Sequence, residues 1–165
     1  MSAWTYVHGM LEVDTFAQTS AEAIFKVQTV IDHLPQITGS EGPARFTVVP
    51  RLGHNTSFNC DELEHRSNLG VRHGFREYCS FEAQTRVLLM LCGELRDRYF
   101  AQTLRETTKC LARLSTRADV LNCLVRVSSY EKEYIFNDPQ WMIEAPSSEW
   151  TSGLVNWKAV PTSDW

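Results

Sequence analysis

Residues 4–14, WTYVHGMLEVD, alternate with a period of two. Thr5, Val7, Gly9, Leu11 and Val13 fall on one side and Trp4, Tyr6, His8, Met10 and Glu12 on the other. That spacing predicts a β-strand. The period then changes: in TSAEAIFKVQTVIDHLP, Ile24, Val27, Ile31 and Leu34 recur at helical intervals behind Thr19-x-x-Glu22. This is a capping box, in which two side chains satisfy free backbone N–H groups at the helix start. With Pro35 and Gly39 as stop signals, a helix over residues 20–34 is predicted.

ARFTVVP (44–50) reads as a second strand, and the apolar run TRVLLMLCGEL (85–95) as a central third strand. YFAQTLRETTKCLARLS places Phe100, Leu104, Thr107, Leu111 and Leu114 on one stripe, the mark of a second amphipathic helix. NCLVRVSSYEKEYIFND (122–138) holds two β-rich runs around Tyr130-Glu131-Lys132-Glu133, either one bent strand or a tight hairpin.

The order strand, helix, strand, strand, helix, strand predicts an α+β domain of the ferredoxin-like split βαβ type, with both helices on one face of an antiparallel sheet. The expected domain spans residues 1–138. Residues 51–83, without period and rich in Gly, Asn, Ser, His and charge, are read as an insertion between strands two and three. Residues 139–165 carry four of the five tryptophans and are read as a tail packed on the domain or on a partner.

Composition changes this picture little. The chain has 165 residues, 43% hydrophobic and 22% charged, with no apolar run near the ~20 residues a bilayer span requires. The N-terminus lacks a basic stretch followed by an apolar one, so no secretory leader is expected. Five cysteines, an odd number without CxxC spacing, point to reduced thiols and a cytoplasmic setting. Three of them sit inside apolar patterns and are expected in the core. A net charge of −4 disfavours direct nucleic-acid binding.

Candidate chemistry is sparse. CGELRDRYFAQTLRE (92–106) crowds acids and arginines together, but a strand-to-helix corner collects such residues for structural reasons. With a helix starting near Arg98, Asp97 is expected at its N-cap, and Glu94 finds a second acid only in Glu12 of the first strand. Cys60, His65, His73 and Cys79 offer zinc-type ligands in a spacing that matches no usual knuckle. No cysteine carries a local nucleophile signature. TGSEG (38–42) follows a helix and lacks a P-loop ending, so it reads as a helix C-cap and turn. Trp4, Tyr6 and Arg126 offer a small platform for RNA, while RVLLMLCGEL carries no stacking aromatic. No cofactor is expected.

The sheet face opposite the helices would show Tyr6, His8, Met10 and Glu12 beside Leu88, Met90, Cys92 and Glu94, too apolar to stand uncovered. Either the tail or a partner covers it. The expected partner-binding residues are therefore Tyr6, His8, Met90, Trp141, Trp150 and Trp157.

ITGSEG, GELRDRYFAQTLRE and NCLVRVSS resemble stretches of small bacteriophage and mobile-element accessory proteins. The resemblance implies a phage-encoded protein that binds and disables a host defence enzyme, for instance a CRISPR nuclease. The resulting expectation is a non-enzymatic protein whose partner is a host protein or ribonucleoprotein. Two alternatives stand beside it. One is a small, metal-dependent phosphoesterase or nucleotide-processing enzyme using Glu94, Arg96 and Asp97 with His54, His65 or His73. The other is a ligand-sensing domain that pairs its sheets in a homodimer.

Overall fold

The alternation at the N-terminus forms strand β1 (Trp4–Asp14), which becomes the centre of the molecule. The computed structural model describes residues 3–50, 86–138 and 157–161. After β1 come α1 (Ser20–Asp32), β2 (Thr38–Gly39), β3 (Gly42–Pro43), β4 (Arg45–Pro50), β5 (Arg86–Arg96), α2 (Phe100–Ser115), β6 (Asp119–Ser129), β7 (Glu133–Phe136) and β8 (Lys158–Ala159). The fold is α+β. Six strands form one antiparallel sheet in the order β4-β5-β1-β6-β7-β8, and β2 and β3 form a small hairpin of their own. The expected insertion over 51–83 lies outside the described residues.

One face of the sheet is the core. Val7, Leu11 and Val13 of β1, Val87, Leu89, Leu91 and Leu95 of β5, and Val125 and Val127 of β6 are buried there. They meet Ala23 and Val27 of α1 and Leu104, Leu111 and Leu114 of α2. Removing a side chain such as Leu11 from water stabilises the fold by about 1.5–3 kcal/mol. The period-2 strands and period-3.6 helices each have one apolar side, and a two-layer packing buries both sides at once.

Half of the expected capping box forms at the start of α1, with Thr19 Oγ1 accepting the Glu22 N–H at 3.2 Å, and the return bond goes one residue further back than the box requires. The Glu22 carboxylate turns back to the N–H of Gln18 (2.9 Å) and pairs with Lys26 (2.7 Å), which holds its carboxyl below the usual range. The helix stops at Asp32, two residues before the expected end. Pro35 disfavours helical geometry at Leu34, and the His33 N–H closes back on the carbonyls of Val30 and Ile31.

Two local expectations are corrected. TGSEG does not cap a helix: it is the β2–β3 hairpin, pressed so closely on β5 that a Cβ at Gly39 would lie 2.9 Å from Leu95 Cα, while Gly42 adopts a φ of +134°. Asp97 is not an N-cap either. It takes the left-handed region (φ 56°) and donates its N–H to the Ala3 carbonyl at 2.7 Å, so the chain turns a corner before α2 starts at Phe100 behind Tyr99. Short polar residues tolerate that conformation, and the corner uses the tolerance.

The 122–138 stretch forms a hairpin: β6 and β7 pair, with the Ser129 N–H donated to the Lys132 carbonyl at 2.7 Å. Phe16 provides a test of backbone strain. It sits exposed at φ 52° after β1, where a branched or bulky side chain costs about 1–2 kcal/mol. Phe16→Gly is expected to raise stability by about 1 kcal/mol in urea unfolding; unchanged or lowered stability would show that the ring makes a compensating contact.

Candidate functional site: the open face of the sheet

The register of the strands assembles the other face row by row. Met10 stands between Met90 and Leu124, which are 45% and 53% exposed, with Met10 itself at 50%. The next row along β1 runs Arg45, Cys92, His8, Arg126 and Ile135, and the one after it Glu94, Tyr6, Ser128 and Glu133. Among the described residues no helix lies on this side. The row of Met90, Met10 and Leu124 is thus an apolar centre bounded by charged and polar rows.

Part of the rim charge is paired within the chain, while Arg45 and Glu94 have neither a hydrogen bond nor an ion pair among the described residues. Arg126 bonds Glu133 at 2.7 Å, Arg96 bonds Glu41 at 2.9 Å, and Glu12 accepts the Asn122 amide at 2.7 Å with Arg86 at 3.7 Å. The bond from Glu41 holds the Arg96 proton still more firmly. Paired charges around an apolar centre suit contact with another macromolecular surface, because little uncompensated charge is stripped of water on docking.

Along β1 the rings form a ladder. Trp4 and Tyr6 lie 6.5 Å apart at 17° between planes, and Tyr6 and His8 lie 6.4 Å apart at 9°. Beside the ladder's lower end is a groove of about 790 Å³ whose walls include Tyr99, Phe100 and Tyr130. The corner described above holds one wall: Thr5 Oγ1 donates to the Arg98 carbonyl (3.2 Å), the Asp97 N–H reaches Ala3, and the Arg98 guanidinium donates to Thr38 Oγ1 (2.5 Å). The charged cluster 92–106 works as this clamp. Ser40 completes it, donating its N–H to the Arg96 carbonyl at 3.1 Å, while Thr38 donates its N–H to Glu106 at 2.9 Å.

Of the expected partner-binding residues, Tyr6, His8 and Met90 do share the open face. Trp157 does not. It is 8% exposed on the helix side of the sheet, its ring 5.7 Å from Phe136 and its Nε1–H donated to Thr108 Oγ1 of α2 at 2.9 Å. The large ring fills the space beneath β7 and α2, where a buried tryptophan finds the hydroxyl that its N–H requires. The tail's described part, 157–161, correspondingly extends the sheet edge through β8 instead of crossing the open face. Trp141 and Trp150 lie outside the described residues. So do Cys60, His65, His73 and Cys79, and among the described residues no group of three or more His, Cys, Asp or Glu is placed to hold a metal ion.

Among the described residues, Glu12, Glu94 and Asp97 do not assemble an acid–base pair. Glu12 stands opposite Leu88 and Glu94 opposite Tyr6, six residues apart along the strands or about 20 Å at strand rise. Asp97 lies past the end of β5, 3.4 Å from Ser40 Oγ and 3.6 Å from the Arg96 guanidinium. Of the described cysteines, Cys110 is buried, Cys123 is half-buried, and Cys92 faces outward with Met90 and Glu94, the set of β5 expected on the open face. Burial pushes the Cys110 thiol up to about 12, and burial with the Asp138 carboxylate does the same to Cys123, so neither is a thiolate nucleophile at neutral pH.

Leu124, Tyr99 and Tyr130 were not singled out by sequence reasoning. For Leu124 the signal was present in the alternation of NCLVRVSS, which sends Leu124 and Arg126 to the side opposite Val125 and Val127. For the two tyrosines there was none, since their position depends on the corner at Asp97 and the β6–β7 turn. No family model matches the chain, and neither the curated proteins nor the solved structures contain a match to it.

Proposed function

We propose that this chain is a non-enzymatic docking protein that binds another macromolecule through the open face of its sheet. The single observation that carries the reading is the exposed row Met90–Met10–Leu124 at the centre of a polar rim whose charges are partly paired within the chain. Apolar side chains clustered at the middle of a sheet cost solvation in the free protein and return it on contact with a partner. The proposed frame is the ferredoxin-like split βαβ arrangement, supported by the order β4-β5-β1-β6 with α1 leading from β1 to β4 and α2 from β5 to β6.

For the partner, the proposal follows the sequence resemblance to phage accessory proteins: a host defence enzyme, with a CRISPR nuclease as the first to test. Expression of the chain in cells that carry an active CRISPR system should restore plating of a targeted phage. Met10→Glu with Met90→Gln should abolish that effect while leaving the melting temperature unchanged, since both side chains are about half exposed and no second carboxylate stands opposite the first. A buried unpaired carboxylate costs about 3 kcal/mol, or about 100-fold in Kd. Plating that is restored equally by the double variant would remove the open face from the proposal. Absence of any effect across nuclease types would remove the defence enzyme.

A further inference from the structure

Four sulfur and nitrogen donors stand at the corners of one rectangle on the open face. The register sets Cys92 directly opposite His8 and Met90 directly opposite Met10, while Met90 and Cys92 are second neighbours along β5 and His8 and Met10 second neighbours along β1. All four side chains are exposed on the same side of the sheet, Met10 and Met90 by about half, and Cys92 is a free thiol. Directly opposed residues hold their Cβ atoms about 5 Å apart, and second neighbours along a strand lie about 7 Å apart. One ion above the middle of the rectangle is therefore within reach of a thiol, an imidazole and two thioethers, the methionines adapting through their rotatable bonds. Neither Cys92 nor His8 makes a hydrogen bond or an ion pair among the described residues. The His8 ring is stacked on Tyr6 at 6.4 Å and 9°, a contact that steadies its plane and leaves its nitrogens free.

We infer that this rectangle is a binding site for a soft monovalent metal ion, copper(I), held by Cys92, His8, Met10 and Met90. The donor set selects the ion. Thiolate and thioether sulfur favour copper(I), whereas calcium and magnesium take oxygen ligands. Zinc takes thiolate, imidazole and carboxylate, and it finds here one thiol and one imidazole. Among the described residues no three His, Cys, Asp or Glu side chains come together, so the two thioethers are what complete the set. On coordination the Cys92 S–H bond is replaced by a sulfur–copper bond, the proton leaves to water, and the copper keeps its oxidation state. The charges of thiolate and copper(I) then cancel, so Arg45, opposite Cys92 on β4, stands beside a neutral centre. The inference goes beyond the docking reading, although Met10 and Met90 serve both.

The test is an anaerobic titration of the full chain, its methionines labelled with carbon-13 at the methyl group, with copper(I) delivered as its acetonitrile complex. The chain has four methionines, and the Met10 and Met90 signals are assigned by Met10→Leu and Met90→Leu. Both signals are expected to shift together and to saturate within two molar equivalents. Cys92→Ser should abolish the joint shift. His8→Gln should weaken binding at least about ten-fold in competition with bicinchoninate, the lower end of the loss when a metal site is depleted. Zinc(II) should leave both methionine signals in place. Both variants alter exposed residues, so an unchanged melting temperature shows that folding is not the cause. Methionine signals that stay in place, a shift of one without the other, a shift retained in Cys92→Ser, or an equal response to zinc would each overturn the inference. The titration contains no partner and the plating assay no added copper, so failure of the metal site and failure of the docking reading are read from different measurements.

Discussion

Trp157→Ala is expected to cost about 3–5 kcal/mol of stability, the range for truncating a large buried aromatic. The ring is 8% exposed and 5.7 Å from Phe136, at 50° between planes, a tilted contact that aromatic pairs favour. Its Nε1–H is donated to Thr108 Oγ1, whose own hydroxyl proton goes to the Leu104 carbonyl at 2.7 Å. Truncation empties the space between β7 and α2 and unties the C-terminal strand from the helix layer. Trp157→Phe separates the two contributions: it keeps most of the volume and loses the hydrogen bond, and should cost about 1–2 kcal/mol. Urea unfolding followed by circular dichroism measures both. A Trp157→Ala variant within 1 kcal/mol of the parent would mean that the ring does not belong to the core.

The second large effect is expected at Gly93, on the helix side of β5 opposite Val7. A Cβ there would lie 2.6 Å from Ala44 Cβ and 3.0 Å from Ala44 Cα, closer than carbon atoms approach without displacement. Gly93→Ala should therefore cost about 1–3 kcal/mol through overpacking. Ala44→Gly removes the nearer of the two atoms and should cost about 1 kcal/mol by itself, through chain entropy. Combined, the two changes should destabilise less than the sum of the singles by about 1 kcal/mol, a coupling that only residues in contact produce. Strict additivity would show that the chain between β3 and β4 has room to move away from β5.

These two residues also mark where sequence reasoning stopped. β1 was legible in its alternation, and α1 in its capping box and apolar spacing, because both signals lie within a dozen residues of one another. β5 was legible as an apolar run. The alternation even assigned Tyr6, His8, Met10 and Met90 to one side, which the register then brought into adjoining rows. Gly93, in contrast, reads as an ordinary glycine in a strand until Ala44, forty-nine positions away, is packed against it. Trp157 reads as one of several tail tryptophans until Phe136 and Thr108 surround it.

The same limit explains the errors at Asp97 and at TGSEG. An aspartate before a helical stripe is a good N-cap by local rules. Here the helix instead starts at Phe100, two residues later than expected, because the Asp97 N–H is taken by Ala3 and Thr5 holds the Arg98 carbonyl, both contributions from the far end of the chain. A glycine-flanked segment after a helix is a good C-cap by local rules. The close fit of Gly39 against Leu95 makes it a hairpin.

Read from one end to the other, the residues alone settled that β1, β4 and β5 are strands, that α1 and α2 are helices and which side of each is apolar, since periodicity is a property of neighbours in the chain. Everything that makes a site here was decided by packing: the pairing of Met10 with Met90 and Leu124, the burial of Trp157, the clamp of Arg98 on Thr38, and the groove between Trp4 and Tyr130. Each of these joins residues far apart in sequence, and what joins them is the closing of a sheet around β1, a cooperative event of which no single segment carries the record.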